Sequence, residues 1–264
     1  MTQQEWDAFS QFRDNFKNKI SEWNQFASQL IPLQKAAANK DTPNYPIENP
    51  IVYNTALDEI TQEDSIKLIV IGDNPGKDEQ LNKNLKYLVG QAGKIANGFF
   101  IRNPELQIDF RKNAIILNKT PIHTAKTNHL KYLNKFGSEQ IQNLINESQL
   151  WMAKETAKLH SQLNAQLWLV GYSELKEKKI FTAYRNKLKE TYLSLENTNP
   201  WDNVFVFQHF SMNRFSIDLN NFQEQNQSLS LQDAIKAIGI LHKNEIFIYF
   251  LHNSAFKSRV FFFF

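Results

Sequence analysis

Lys67-Leu68-Ile69-Val70-Ile71-Gly72-Asp73-Asn74-Pro75-Gly76 is the stretch on which the fold turns. Its unbroken apolar run, closed by turn-formers, reads as a strand buried on both faces that ends in a tight loop. Three more short apolar runs follow, Ala114–Leu117, Leu167–Val170 and Val204–Phe207, each bounded by turn or helix signals. Helical spacing fills the intervals around Gly93–Phe100, Ser138–Leu163 and Phe181–Leu193. Strands alternating with helices predict an α/β protein, a three-layer α/β/α sandwich around a central four-stranded parallel sheet.

Outward from that centre, Trp6, Phe9, Phe12, Phe16, Ile20, Trp23, Phe26 and Leu30 recur at steps of three and four. This predicts one long amphipathic helix over 3–30, its aromatic stripe packed on the core. Asn39 to Pro50 reads as a connecting loop, too short and mixed for an interdomain linker, so 1–264 is expected to form a single domain. Near the other end, Ser230 and Asp233 form a capping box for a last helix, and Glu245–Leu251 fits either strand or helix. The run Phe261 to Phe264 must dock on the body or cover a partner.

Composition excludes several classes of function. No apolar run approaches the ~20 residues of a membrane-spanning helix, and the N-terminus lacks the blocks of a signal peptide, so a cytoplasmic protein with no membrane partner is expected. Zero cysteines rule out disulfides, thiolate zinc sites, a cysteine nucleophile and a cysteine-held iron–sulfur cluster. A net charge of +3 is no more than solubility requires. From Arg111 to Ser138, however, there are six Lys or Arg and two His with no Asp or Glu. By charge alone the run is either a solvated loop or a surface for phosphates.

The loop after the first strand holds the strongest chemical signal. In open parallel sheets ligands bind at the carboxyl ends of the strands. There Gly72 and Gly76 permit close backbone approach, Pro75 fixes the turn, and Asp73 and Asn74 aim oxygen atoms into the crevice. The spacing is not that of a phosphate-binding P-loop. Asn-Pro-Gly also makes a common structural turn, so spacing alone leaves both readings open.

Gly72-Asp73-Asn74-Pro75-Gly76-Lys77-Asp78-Glu79 resembles motif 1 of the uracil-DNA glycosylase superfamily. That motif is Gly-x-Asn-Pro-Gly in the mismatch-specific and single-strand-selective branches and Gly-Glu-Ala-Pro-Gly, often with acidic residues after it, in the iron–sulfur branch. Leu88-Val89-Gly90-Gln91-Ala92-Gly93 is similar to the Phe-Val-Gly-Arg-Ala-Gly of the iron–sulfur branch, and Leu117-Asn118-Lys119-Thr120-Pro121 to the family's Thr-Asn-Val-Val-Lys segment. Gln208-His209-Phe210-Ser211-Met212-Asn213-Arg214 resembles motif 2, His-Pro-Ser followed by a wedge and often an Arg. The likeness spans roughly Lys67 to Arg214, in the family's motif order. Three departures stand out. Leu88 occupies the position of a base-stacking Phe, so either Tyr87 supplies the ring or the base is held weakly; Phe210 replaces the motif 2 proline; and the cluster-holding cysteines are absent.

The resemblance implies a monomeric, monofunctional DNA glycosylase that flips a uracil or other deaminated base from DNA and hydrolyses its N-glycosidic bond, as in base-excision repair, with no metal or cofactor. Asn74, helped or replaced by Asp73, would position water, Asp73 would steady the cationic sugar, and His209, neutral, would donate to the departing base. Gly72, Tyr87, Leu88 and Asn118 would hold the base, Asn118 at its polar edge. Gly76, Gly90 and Gly93 would let the backbone approach DNA. Lys119, Lys126, Lys131 and Arg214 would meet the DNA backbone, Ser211 a phosphate, and Met212 the gap left in the stack. The rival classes are a catalytically silent nucleic-acid-binding module on the same fold and an enzyme acting on a free nucleoside or other small ligand.

Overall fold

A computed structural model describes residues 1–195 and 199–257, without the side chains of residues 199 and 248–257. The Phe261–Phe264 run lies outside the described residues. The sheet is four-stranded and wholly parallel, in the order β2-β1-β3-β4. Its strands are β1 (Leu68–Gly72), β2 (Ala114–Asn118), β3 (Gln166–Val170) and β4 (Val204–Phe207), within one residue of the sequence expectation at each end. The helices are α1 (Gln3–Trp23), α2 (Ala27–Ala38), α3 (Gln91–Arg102), α4 (His129–Phe136), α5 (Glu139–Gln162), α6 (Thr182–Ser194), α7 (Arg214–Gln225) and α8 (Leu231–Lys257).

Strand side chains alternate strictly between two cores. Ile69, Ile71, Ile115, Leu117, Leu167, Leu169, Val204 and Val206 pack with α1, α2, α4, α5 and α6. Leu68, Val70, Ala114, Ile116, Trp168, Val170, Phe205 and Phe207 pack with α3, α7 and the start of α8. Both faces are therefore dry, which is why these strands read as apolar runs and not as alternating ones. The result is the expected α/β/α sandwich.

The N-terminal helix breaks once. α1 and α2 are separated by a short 3-10 turn at Asn24–Phe26, yet Phe9, Phe12, Phe16, Ile20, Trp23 and Leu30 are all buried, so the stripe survives the break. Ser230 caps α8 as expected, its Oγ accepting from the Asp233 amide at 3.1 Å. The ambiguous run from Glu245 is helical backbone.

Connection geometry sets where a ligand can enter. From β1 the chain crosses through α3 to β2 on one side; from β2 it returns through α4 and α5, on the opposite face, to β3 on the other side of β1. Reversing direction while keeping right-handed crossovers requires changing faces. The reversal leaves a crevice at the carboxyl ends of β1 and β3, the topological switch point.

Candidate active site

At the switch point an ion pair joins two strands. Lys119, fully buried just past β2, sends its Nζ to Asp73 Oδ1 at 2.6 Å, to the Val170 carbonyl at 2.5 Å and to the Gly72 carbonyl at 3.3 Å. All three partners are acceptors, so the amine needs three N–H bonds and is an ammonium. Burial lowers its pKa below the ordinary lysine value, opposed by the neighbouring Asp73 carboxylate. Phe181 lies under the cation, 5.0 Å from its ring centre. Thr127 donates to the other Asp73 oxygen at 3.3 Å. Asp73 sits over the end of β3, where Gly171 has φ +94° and an added Cβ would come within 2.3 Å of Asp73 Oδ1. Only glycine fits there, on both counts.

Asn74 and Asn118 flank the pair. Asn74 Nδ2 faces Thr124 Oγ1 at 2.9 Å and the carbonyls of Pro75 and Ile122 at 3.2 and 3.3 Å. This braces the turn against the segment after β2 and leaves the side-chain carbonyl oxygen without a partner among the described residues. Asn118 is buried, with Oδ1 pressed against Gly72, where a Cβ would stand only 2.4 Å away. Its Nδ2 has no hydrogen-bond partner among the described residues. A buried orphan amide costs about 1–3 kcal/mol and is the kind of group a ligand satisfies.

His209 stands two residues beyond β4, half-buried. The Ser211 backbone N–H donates to its Nδ1 at 3.0 Å, and Ser211 Oγ lies 2.8 Å from the same nitrogen. A backbone amide can only donate, so Nδ1 carries no proton and neutral His209 presents Nε2–H. Burial lowers its pKa and keeps it neutral, with Asp73 pulling it up and Lys119 pushing it down. Those two charges tie His209 electrostatically to the ion pair at the end of β1. The β3–β4 contact runs the same way, since Gly171, beneath Asp73, donates to the Phe207 carbonyl at 2.9 Å.

Several expected roles do not survive this geometry. Tyr87 is buried in the core, its hydroxyl bonded to the Val52 carbonyl at 2.6 Å, so its ring is not free to stack on a base. Lys119 is not a phosphate contact; it lies inside the fold. Ser211 spends its hydroxyl on His209 and is a positioning group. The basic run is largely satisfied from within: Arg111 donates to the Leu88 carbonyl at 2.6 Å, His123 bonds the Pro75 carbonyl at 2.9 Å, and Lys126 and His129 share Asp41 at 2.8 and 3.1 Å. Lys126 and Lys131 remain exposed, the latter 3.9 Å from Glu174, and such surface pairs are worth little. Arg214 and Met212 are exposed as expected, and Met212 and Asn213 hold left-handed φ values of 54° and 56°. Phe210, in place of the motif 2 proline, anchors this loop by burying its ring 5.1 Å from Phe215.

The remaining glycines divide. An added Cβ on Gly93 would lie 1.4 Å from the Leu88 carbonyl oxygen, so the helix start and the Leu88 loop touch backbone to backbone. A Cβ added to Gly90 would stand 3.3 Å from Asp78 Oδ2, whereas one added to Gly76 would meet nothing within 4 Å. Leu88 is buried with φ +51°, an uncommon conformation for a bulky residue.

Residues to which motif reading gives no role complete the site. Thr127 and Gly171 position Asp73, Thr124 and His123 hold the Asn74–Pro75 turn, and Glu79 accepts from the Gly76 and Leu88 amides at 3.2 and 3.0 Å. Among the described residues no group of three or more His, Asp or Glu could hold a metal, and no helix is long and apolar enough to cross a membrane. A groove of about 450 Å³ between α1 and α5, lined by Phe12, Lys19, Trp151 and Lys158, shares no residue with the switch point. Comparison with protein-family models, curated proteins and solved structures gives no match.

Proposed function

We propose that the switch-point crevice excises a base from DNA, as a cofactor-independent glycosylase. One observation carries the reading: a carboxylate from the end of β1, an unpaired buried amide from the end of β2 and an imidazole N–H from beyond β4 converge on the carboxyl edge of one sheet. Hydrolysis of an N-glycosidic bond needs those three services. As the bond between sugar and base breaks, positive charge grows on the sugar and negative charge on the base. The Asp73 carboxylate, held in place by Lys119 and Thr127, faces the cationic sugar, and the Asn74 carbonyl oxygen orients the water that adds to the sugar carbon. His209 Nε2–H donates to the carbonyl oxygen of the departing base, and Asn118 Nδ2 donates to the base's polar edge. Water's proton leaves with the base. Removing one such preorganised donor costs ~3 kcal/mol. Without Lys119 and Ser211, the DNA-facing side chains are Lys126, Lys131, Met212 and Arg214, together with the open backbone at Gly76.

The Asp73–Lys119 pair also favours a second reading, a silent binding module on the same scaffold, because the ammonium offsets the negative charge that would steady a cationic sugar. Oligonucleotides carrying uracil, hypoxanthine or xanthine, incubated with the protein and then treated with alkali, separate the two. The glycosylase reading expects strand breaks at one modified base, with the single-turnover rate lowered roughly 10²-fold or more in His209→Ala. No breaks at any base, together with DNA binding that weakens steeply as salt rises, would refute the glycosylase and favour the binding module over a small-molecule enzyme.

A further inference from the structure

Glu79 is a buried carboxylate without an ion-pair partner among the described residues, and it touches neither the ion pair nor the imidazole. Its two oxygens take different loops. Oε2 accepts from the Gly76 amide, in the turn that carries Asp73 and Asn74, at 3.2 Å; Oε1 accepts from the Leu88 amide, in the loop that leads into α3, at 3.0 Å. Leu88 is gripped on its other side as well. Its carbonyl receives Arg111 at 2.6 Å and sits against Gly93 where no Cβ fits. Strained backbone such as Leu88 at φ +51° persists only where its surroundings over-determine it, and three separate constraints do so here.

We propose that Glu79 is a positioning residue, a two-armed carboxylate clamp that fixes the turn after β1 against the Leu88 loop and so sets the width of the crevice. Its service to base excision rests on the function proposed above; the clamp itself does not. Both arms need the ionised carboxylate, because a carboxylic acid turns one oxygen into a donor facing an N–H. The charged and titratable groups facing it are Asp78, which repels it, Arg111, which attracts it, and Tyr87. Burial, assisted by Asp78, outweighs the two amides and Arg111 and raises its pKa from 4.5 to about 7, so the clamp closes as pH rises through neutrality.

The backbone amide resonances of Gly76 and Leu88, followed by NMR from about pH 5.5 to 8.5, test this directly. Both should move with one shared midpoint near 7, the midpoint should fall in Asp78→Asn, and both movements should vanish in Glu79→Gln. Independent midpoints, no titration, or a titration that persists in Glu79→Gln would overturn the clamp. If Glu79→Gln does not fold, the wild-type and Asp78→Asn titrations decide alone. Single-turnover base release supplies the functional arm: its rate should rise through the same midpoint in the wild type and stay flat in Glu79→Gln, with affinity for DNA bearing an abasic-site mimic changed less than twofold. Amides that titrate together in a protein that releases no base would keep the clamp and refute the glycosylase. A base-releasing protein whose rate ignores that midpoint would keep the glycosylase and refute the clamp's role in it.

Discussion

Replacing Lys119 by methionine separates an internal brace from a DNA contact. The ammonium is fully buried, and its removal strands the Asp73 carboxylate at the sheet end and takes its N–H from the Val170 carbonyl, whereas the Gly72 carbonyl keeps the Lys119 backbone N–H at 3.0 Å. Breaking a buried pair by deleting one partner costs ~3–5 kcal/mol, a large part of the ~5–15 kcal/mol that holds a domain folded. A urea slope of ~3 kcal/mol per molar turns that into a midpoint fall of about 1 M or more, readable in tryptophan fluorescence. The double variant Lys119→Met with Asp73→Asn removes both charges, and the cycle should return a coupling of at least ~2 kcal/mol. An exposed phosphate-binding lysine behaves otherwise, changing stability by no more than ~0.5 kcal/mol and lowering the salt slope of DNA binding by about one. A stability loss under ~1 kcal/mol combined with that lower slope would refute the brace.

Gly93→Ala should lower the melting temperature by several degrees, because its Cβ would stand 1.4 Å from the Leu88 carbonyl oxygen and overpacking costs ~1–3 kcal/mol, whereas Gly76→Ala, with nothing within 4 Å, should leave it nearly unchanged. Equal melting of the two variants would contradict the backbone contact. Stability against pH should show opposed contributions. The Glu79 contribution is full below 4.5 and is lost as pH rises through about 7, while His123 and His160, held down to about 4 by burial, contribute fully above 6.5 and lose that as pH falls. The stability of wild type minus that of Glu79→Gln should therefore fall by on the order of 3 kcal/mol between about pH 4.5 and 7.5, in urea midpoints corrected by slope, and a flat difference would refute the burial argument.

The strands were legible because each is buried on both faces and so reads as an unbroken apolar run between turn-formers, as Leu68–Ile71 does before Gly72-Asp73-Asn74-Pro75-Gly76. α4 and α7 were not: α4 is a single short helix inside a run read as a charged loop, and α7 buries only Phe215 and Leu219. Within the site, Asp73, Asn118 and His209 were legible as polar residues ending strands. The charge partners were not, because charge along a chain does not reveal which distant segment will neutralise it. Lys126 meets Asp41 from 85 residues away, and Arg111 meets a carbonyl 23 residues earlier.

Lys119 shows what additional information would have been needed. β1 and β2 are parallel neighbours in a register that pairs Gly72 with Asn118. The next residues along the two strands are Asp73 and Lys119, which therefore emerge side by side at the same edge, with opposite charges and a sheet beneath them. Neither the acid-free stretch nor the motif spacing implies that juxtaposition, but strand order and register together require it. A lysine whose sequence position suggests a DNA contact is thus drawn fully inside by the topology, where it holds the carboxylate proposed for catalysis.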